Sequence, residues 1–367
     1  MSNKSIKEES YFKNFQRFLN EADDKQLAAN LMAAYKAGPA ATRAYLDSEE
    51  GSSEELRALL LKPQPESDGA SSDDVVKVGT ASGPAMGFMP TQNEIDLMKS
   101  VSFPLGSVQT LVNAITTGPI AKGIVTSGNL IIDGHHRWSG AIGIGGENAQ
   151  IQGQSVEWPG QNTAEMLAAA QIAIAAKLGP GKSIPSQSEG FDTNILGKGA
   201  AGIATMILKN VNKKTDPGAP GALLNDEMMK QLANSPKYTG TKIVLDWLGM
   251  KAVTGKGKTP DSVAPDEIYF GTNYDDESAE GQRTIDQLRR AIAEKVGQNL
   301  ASLPANSEAP ERKDMPQFDT KVGGPPLKTI TGDLSGGKFN VSPPFAKESK
   351  IQKRLDNYLK ESITKSK

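Results

Sequence analysis

The chain has 367 residues, more than one compact core usually occupies, so two domains or one domain with long extensions are expected. It carries 41 Lys and Arg against 43 Asp and Glu, a formal net charge of −2, which excludes a global electrostatic pull towards nucleic acid or anionic membrane. It has 0 Cys, which excludes disulfides, thiolate metal sites and cysteine nucleophiles, and its 37 Gly and 22 Pro predict a lean core with many chain reversals.

In chain order, residues 1–62 read as a helical region. Phe12, Phe15, Leu19 and Ala22 fall at helical spacing, as do Leu27, Leu31 and Ala34. Gly38-Pro39 breaks the pattern before a short helix over 40–46, and Ser52 with Glu55 forms a capping box ahead of Leu56, Leu59 and Leu60. Residues 63–74, rich in Pro, Ser, Gly and Asp, read as a linker.

A mixed region follows over 75–160. Val75 to Val78 reads as a strand, and 94–99 and 107–115 as helices. Residues 120–125 and 129–132 read as two strands that meet at Thr126-Ser127-Gly128. A helix is predicted over 138–144, closed by Gly145-Gly146, and a strand over 149–156. Residues 161–300 read as mainly helical, with helices over 163–178, 199–211, 223–232 and 283–296. A Pro- and Gly-rich linker is expected over 301–346, and a basic amphipathic helix over 347–367 with Ile351, Leu355, Leu359 and Ile363 on one face. The fold class expected is α+β.

The segment Asp133-Gly134-His135-His136-Arg137 stands where a buried strand turns into a helix. A glycine there lets backbone pass close to a ligand, and the unpaired first N–H groups of the helix favour an anion. The only 2 His of the chain lie side by side in this loop, and imidazole is the group best suited to proton transfer near neutral pH. Asp133, His135 and His136 are therefore candidate catalytic groups, and Gly134, His136 and Arg137 candidate phosphate ligands. The alternative is that Asp133 merely caps the helix and the histidines sit on a surface turn. No further histidine exists to complete a zinc shell, and no metal site is expected. Two stretches fit a permissive P-loop pattern, Ala176 to Ser183 and Ala252 to Thr259. Neither has the strand before and helix after that a P-loop needs.

The order Met89-Pro90-Thr91-Gln92, Lys99, Gly118-Pro119-Ile120, Leu130-Ile131-Ile132-Asp133-Gly134-His135-His136-Arg137-Trp138, Ala141 and Gly145 resembles the ParB/sulfiredoxin-like fold family, in particular its ParB-like nuclease type, over 75–158. The resemblance implies a small mixed sheet-and-helix core that binds phosphate at the Asp133–Arg137 loop. It implies that Thr91 and Gln92 approach from the upstream loop and that Lys99 is a further phosphate ligand. Glu94 or Asp96 would serve as base or metal ligand. The matching loop reads Gly-Glu-Arg-Arg in ParB partition proteins and begins Asp-Gly-His in free serine kinases. In sulfiredoxin it reads Gly-Cys-His-Arg; here His135 stands at the cysteine position, so that redox chemistry is not expected. Of the ParB arginines only Arg137 is retained, and Thr91-Gln92-Asn93 replaces the upstream Gln-Pro-Arg. The segment Phe12 to Glu21 resembles leader segments of large tailed-phage proteins.

The function these features point to is binding of a nucleotide (ATP, ADP or CTP, with Mg²⁺) or another phosphate ester, with phosphoryl transfer or hydrolysis of a nucleotide or phosphodiester. The alternatives are a non-catalytic ParB-type DNA-binding protein and a virion-associated protein that keeps the domain as a scaffold. A protein partner on the terminal helices is expected. No apolar run reaches the length of a membrane span, and the opening residues lack the apolar core of a signal peptide. A cytoplasmic location, of the host cell or within a virion for a phage protein, and no membrane partner are expected.

Overall fold

The computed structural model describes residues 24, 26–61, 78–158, 162–186, 190–214, 218–255, 258–271, 278–318 and 323–335. The expected helix around Phe12, the linker over 63–74 and the basic helix over 347–367 lie outside these residues. The fold is α+β, with a mixed five-stranded sheet and many helices.

In chain order the elements are α1 (26–36), α2 (Pro39–Asp47), α3 (Glu54–Leu60), β1 (Val78–Pro84), β2 (Met89–Pro90), α4 (Leu97–Val101), α5 (Val108–Thr116), β3 (Ile120–Ser127), β4 (Leu130–Asp133), α6 (His135–Gly145) and β5 (Gln150–Val156). They continue with α7 (Thr163–Leu178), α8 (Ala200–Lys209), α9 (Asp226–Ala233), α10 (Thr239–Leu248), β6 (Lys251–Val253), β7 (Glu267–Tyr269), α11 (Ala279–Ala301) and α12 (Leu327–Ser335).

The chain forms two compact units that interleave along the sequence. One holds residues 1–78, 156–189 and 310–367. Its described core is the Ala-rich α7, buried on nearly every face, against which α2, α3 and α12 pack. Gly38, not a side chain, precedes α2, and Pro39 opens it, as its missing N–H allows. The cap of α3 is Ser53, whose hydroxyl accepts the Leu56 N–H, one residue later than the Ser52 box expected. Residues expected to be linker are built into this unit. Met315 and Ile330 are buried, Gln171 donates to the Asp314 carbonyl at 2.6 Å, and Lys177 pairs with Asp333 at 2.5 Å. Pro and Gly there shape a packed irregular path around short helices, and a few buried apolar anchors are enough to hold it.

The second unit joins 79–155 to 190–309. A boundary near 160 is therefore not where this core ends. Ile203, Ile207, Leu288, Ile292, Val296 and Leu300 of α8 and α11 belong to the same apolar cluster as Ile124, Ile131, Trp138 and Ile142. The helical region covers apolar surface that the small sheet would otherwise expose to water.

The sheet order is β1-β5-β3-β4-β2. β3 and β4 form an antiparallel hairpin, β2 runs parallel to β4, and β5 parallel to β3. The C-terminal ends of β2 and β4 and the N-terminal end of β3 therefore share one edge of the sheet. From that edge α6 departs. Trp138 anchors it, fully buried, with its Nε1 donating to the Ala85 carbonyl at 2.8 Å. Gly140 lets α4 close on α6, since a Cβ there would lie 2.3 Å from the Ser100 carbonyl oxygen. The Ser100 and Ser139 hydroxyls bond across the contact at 2.7 Å. α10 and the parallel β6–β7 pair had no counterpart in the sequence pattern. Among the described residues no helix is long and apolar enough to cross a membrane.

Candidate anion-binding cleft at the strand–helix junction

Gly134 is the N-cap of α6, in the left-handed region at φ 94°, and no side chain caps the helix. Asp133 ends β4 and pairs instead with Arg137, Oδ2 to Nη2 at 3.3 Å. The capping role considered for Asp133 is thus corrected. No side chain caps the first N–H groups of α6, which stand at the positive end of the helix dipole. Arg137 lies over Gly134, and its Nη2 also donates to the Gly123 carbonyl at 2.8 Å, where β3 shifts register. Both bonds use one nitrogen. Nε and Nη1 carry none to the described residues, so part of the guanidinium fork remains for a ligand.

The two histidines part ways, as adjacent helical residues must. His135 is buried, and its Nε2 accepts the Thr91 N–H at 3.1 Å, which leaves the ring neutral with its proton on Nδ1. Burial first, and then the neighbouring His136, push its pKa down to about 3, against the pull of the Ile131 carbonyl. His135 is therefore a structural fastener between the loop after β2 and α6, not the proton-transfer group the sequence suggests. Thr91 is fully buried and donates its hydroxyl to the Ile131 carbonyl at 2.6 Å. With both donors spent inside, it is withdrawn from the phosphate-binding set. Gln92 is also buried, but its Nε2 has no partner among the described residues, and neither has the buried Oε2 of Glu94. Asp96 caps α4 through Met98 N–H at 2.9 Å and accepts the Thr193 hydroxyl at 2.6 Å, so it is not poised as a base or metal ligand.

His136 turns the other way, into the wall of a cleft of about 580 Å³. Its Nε2 accepts the Asp96 N–H at 3.3 Å, and its ring meets Phe191 edge-on at 5.8 Å. Lys99 reaches the same cleft, with Nζ 5.1 Å from the Phe191 ring centroid. Lys122, at the start of β3, and Arg137 complete a rim of three cations. Among the described residues no Asp or Glu lines the cleft. The cationic character of this cleft comes from local arrangement, in a chain whose net charge is −2.

Sequence reasoning missed Lys122 and Phe191. The hairpin pairs Asp133 with Val125, and the Arg137 bond to the Gly123 carbonyl then brings the neighbouring Lys122 to the junction. Phe191 belongs to a strap that no local pattern reveals. Asn194 Oδ1 accepts the N–H groups of Ile95 and Leu196 at 3.0 and 3.1 Å, and Thr193 O accepts Leu97 N–H at 2.9 Å. Asn194→Ala is expected to cost about 1–3 kcal/mol, because the Ile95 amide loses its acceptor in a part-buried place. Urea unfolding checks this, and Asn194→Asp, which keeps the acceptor, is expected to lose less.

Asp96 and Asp133 are already engaged, and among the described residues no group of three or more His, Asp or Glu stands together. Compared with known protein families, curated proteins and solved structures, the chain shows no match.

Proposed function

We propose that the cleft binds a phosphate ester and that the protein transfers or hydrolyses its phosphoryl group. The observation that carries this reading is the cleft wall itself, lined by Lys99, Lys122, Arg137 and His136, with Asp133 paired to Arg137 but not itself a lining residue. Arg137 would hold phosphate oxygens through Nε and Nη1, while Lys99 and Lys122 balance charge. The uncapped N–H groups of the first turn of α6 would add donors along the dipole. His136 is the one imidazole in the wall and the group assigned to proton transfer, with Asp133 steadying Arg137 beside it. The Asp-Gly-His-His-Arg likeness to ParB/sulfiredoxin-like proteins supports the same reading. In it Mg²⁺ arrives on the nucleotide's own phosphates, and no step is assigned to it.

Calorimetry with ATP, ADP and CTP, each with and without Mg²⁺, tests the proposal on the wild type and on Arg137→Ala. Binding that weakens about 10- to 100-fold in the variant is expected, the value of a charge-assisted bond pair. Because Arg137 is exposed, the variant should keep its unfolding free energy within about 0.5 kcal/mol of the wild type. Folded wild-type protein that binds none of the three sinks the nucleotide form.

A further inference from the structure

Resting on that reading, we infer that the ligand is a phosphate monoester whose alcohol part is a flat apolar group, laid along α6 against Phe103, Pro104, Ile120 and Pro119. The cleft is not uniform along its length. His136 and Arg137 sit at the N-terminal end of α6, and Lys122 lies beside them through the Arg137–Gly123 bond. Ile144 lies eight residues further on, ~12 Å along the helix at its usual rise. Pro119 marks that far end, because a Cβ on Gly145 would lie 1.9 Å from its ring. Charge therefore crowds one end, and the remainder is lined mainly by apolar side chains, with Ala114 and Ala141, beside the uncharged polar Thr110, Asn113 and Thr117.

The apolar wall is also open to solvent in a way that asks for a partner. Of the five exposed large hydrophobic side chains among the described residues, two border this one cleft: Phe103 at 58% exposure and Ile120 at 43%. Phe103 lies one turn beyond Lys99, so a single stretch of chain supplies a cation for the head and an aromatic face for the body. Inorganic phosphate would leave that wall wet, and an open sugar phosphate would set hydroxyls against it. A planar apolar body covers it and gains a ring contact.

Calorimetric titration with inorganic phosphate, ribose 5-phosphate, 1-naphthyl phosphate, adenosine monophosphate and uncharged 1-naphthol tests the inference. The expected result is that 1-naphthyl phosphate binds about tenfold or more tighter than inorganic phosphate and ribose 5-phosphate. Phe103→Ala and Ile120→Ser should erase that advantage and leave inorganic phosphate unchanged, while Phe103→Tyr keeps it. Both side chains are surface-exposed, so the variants should fold. If adenosine monophosphate shares the advantage, the natural body is a nucleobase; if only the naphthyl ester does, it is a less polar ring. Equal binding of naphthyl and inorganic phosphate, or a parallel loss for all anions in Phe103→Ala, overturns the inference while the phosphate site stands. Naphthol binding as tightly as its phosphate overturns the phosphate reading instead, and no binding by any anion overturns both.

Discussion

Gly134→Ala is expected to destabilise the protein by about 2–4 kcal/mol, seen as a lower urea midpoint with an unchanged slope. Two causes add. A side chain at φ 94° pays the left-handed penalty that glycine avoids. Its Cβ would also lie 2.7 Å from Ile124 Cδ1, in a fully buried side chain that cannot swing aside, and 3.1 Å from Arg137 Nη2. The second contact makes the stability defect a site defect. Pushed off Gly134, Arg137 loses its line to the Gly123 carbonyl, and anion affinity should fall together with stability. Gly134→Ala combined with Ile124→Val separates the causes, since valine lacks the clashing methyl. Recovery of part of the loss assigns that part to packing. No recovery assigns it to the backbone.

The same residues show why the junction was legible in sequence and its surroundings were not. A strand ending at Asp133, a glycine and a helix running to Gly145 are decided within a dozen positions, and so is α7, found over 163–178 as the pattern predicts. The hairpin of β3 and β4 was marked by its turn, with Gly128 at φ 55°. The cleft is a different matter. Phe103 and Lys122 reach it, and Phe191 meets its His136 and Lys99, only because distant segments are folded onto α6, and the bond from Ile95 to Asn194 spans 99 residues. No local periodicity encodes such a contact. Residues 239–248 were missed for a related reason. The helix opens on Thr-Gly-Thr, poor helix-forming residues, and holds through Thr241, whose buried hydroxyl donates to the Leu232 carbonyl.

The paired histidines also show how a correct motif can carry an incorrect role. Composition made both attractive as proton carriers, yet the helix turns them about 100° apart, one into the protein and one into the cleft. Chemistry and architecture are thus divided between neighbours. His135 ties the Thr91 amide to the helix, which places the upstream loop, and Asp96 of that loop in turn donates its amide to His136. The catalytic candidate is oriented through a chain of contacts that begins at the structural one.

That division predicts a pH signature. His135 has its pKa pushed down to about 3 in the folded protein, while in the unfolded chain it titrates near the ordinary 6.5. Between those values the unfolded state binds a proton that the folded state refuses. Stability from this residue is therefore full above about pH 6.5 and is lost as pH falls, by about 1.4 kcal/mol per unit, until the folded ring itself protonates near 3. Lowering the pH from 7 to 5 should cost the wild type about 2 kcal/mol through His135 alone. His135→Gln keeps an acceptor for the Thr91 amide but cannot take up the proton. It should be less stable than wild type at pH 7, by about 1–3 kcal/mol for imperfect geometry, and should show a shallower fall towards pH 5. Urea unfolding of both proteins at each half pH unit gives the two slopes. Equal slopes would mean that His135 titrates alike in both states, and the buried, amide-bound imidazole would then have to be abandoned as the fastener of this site.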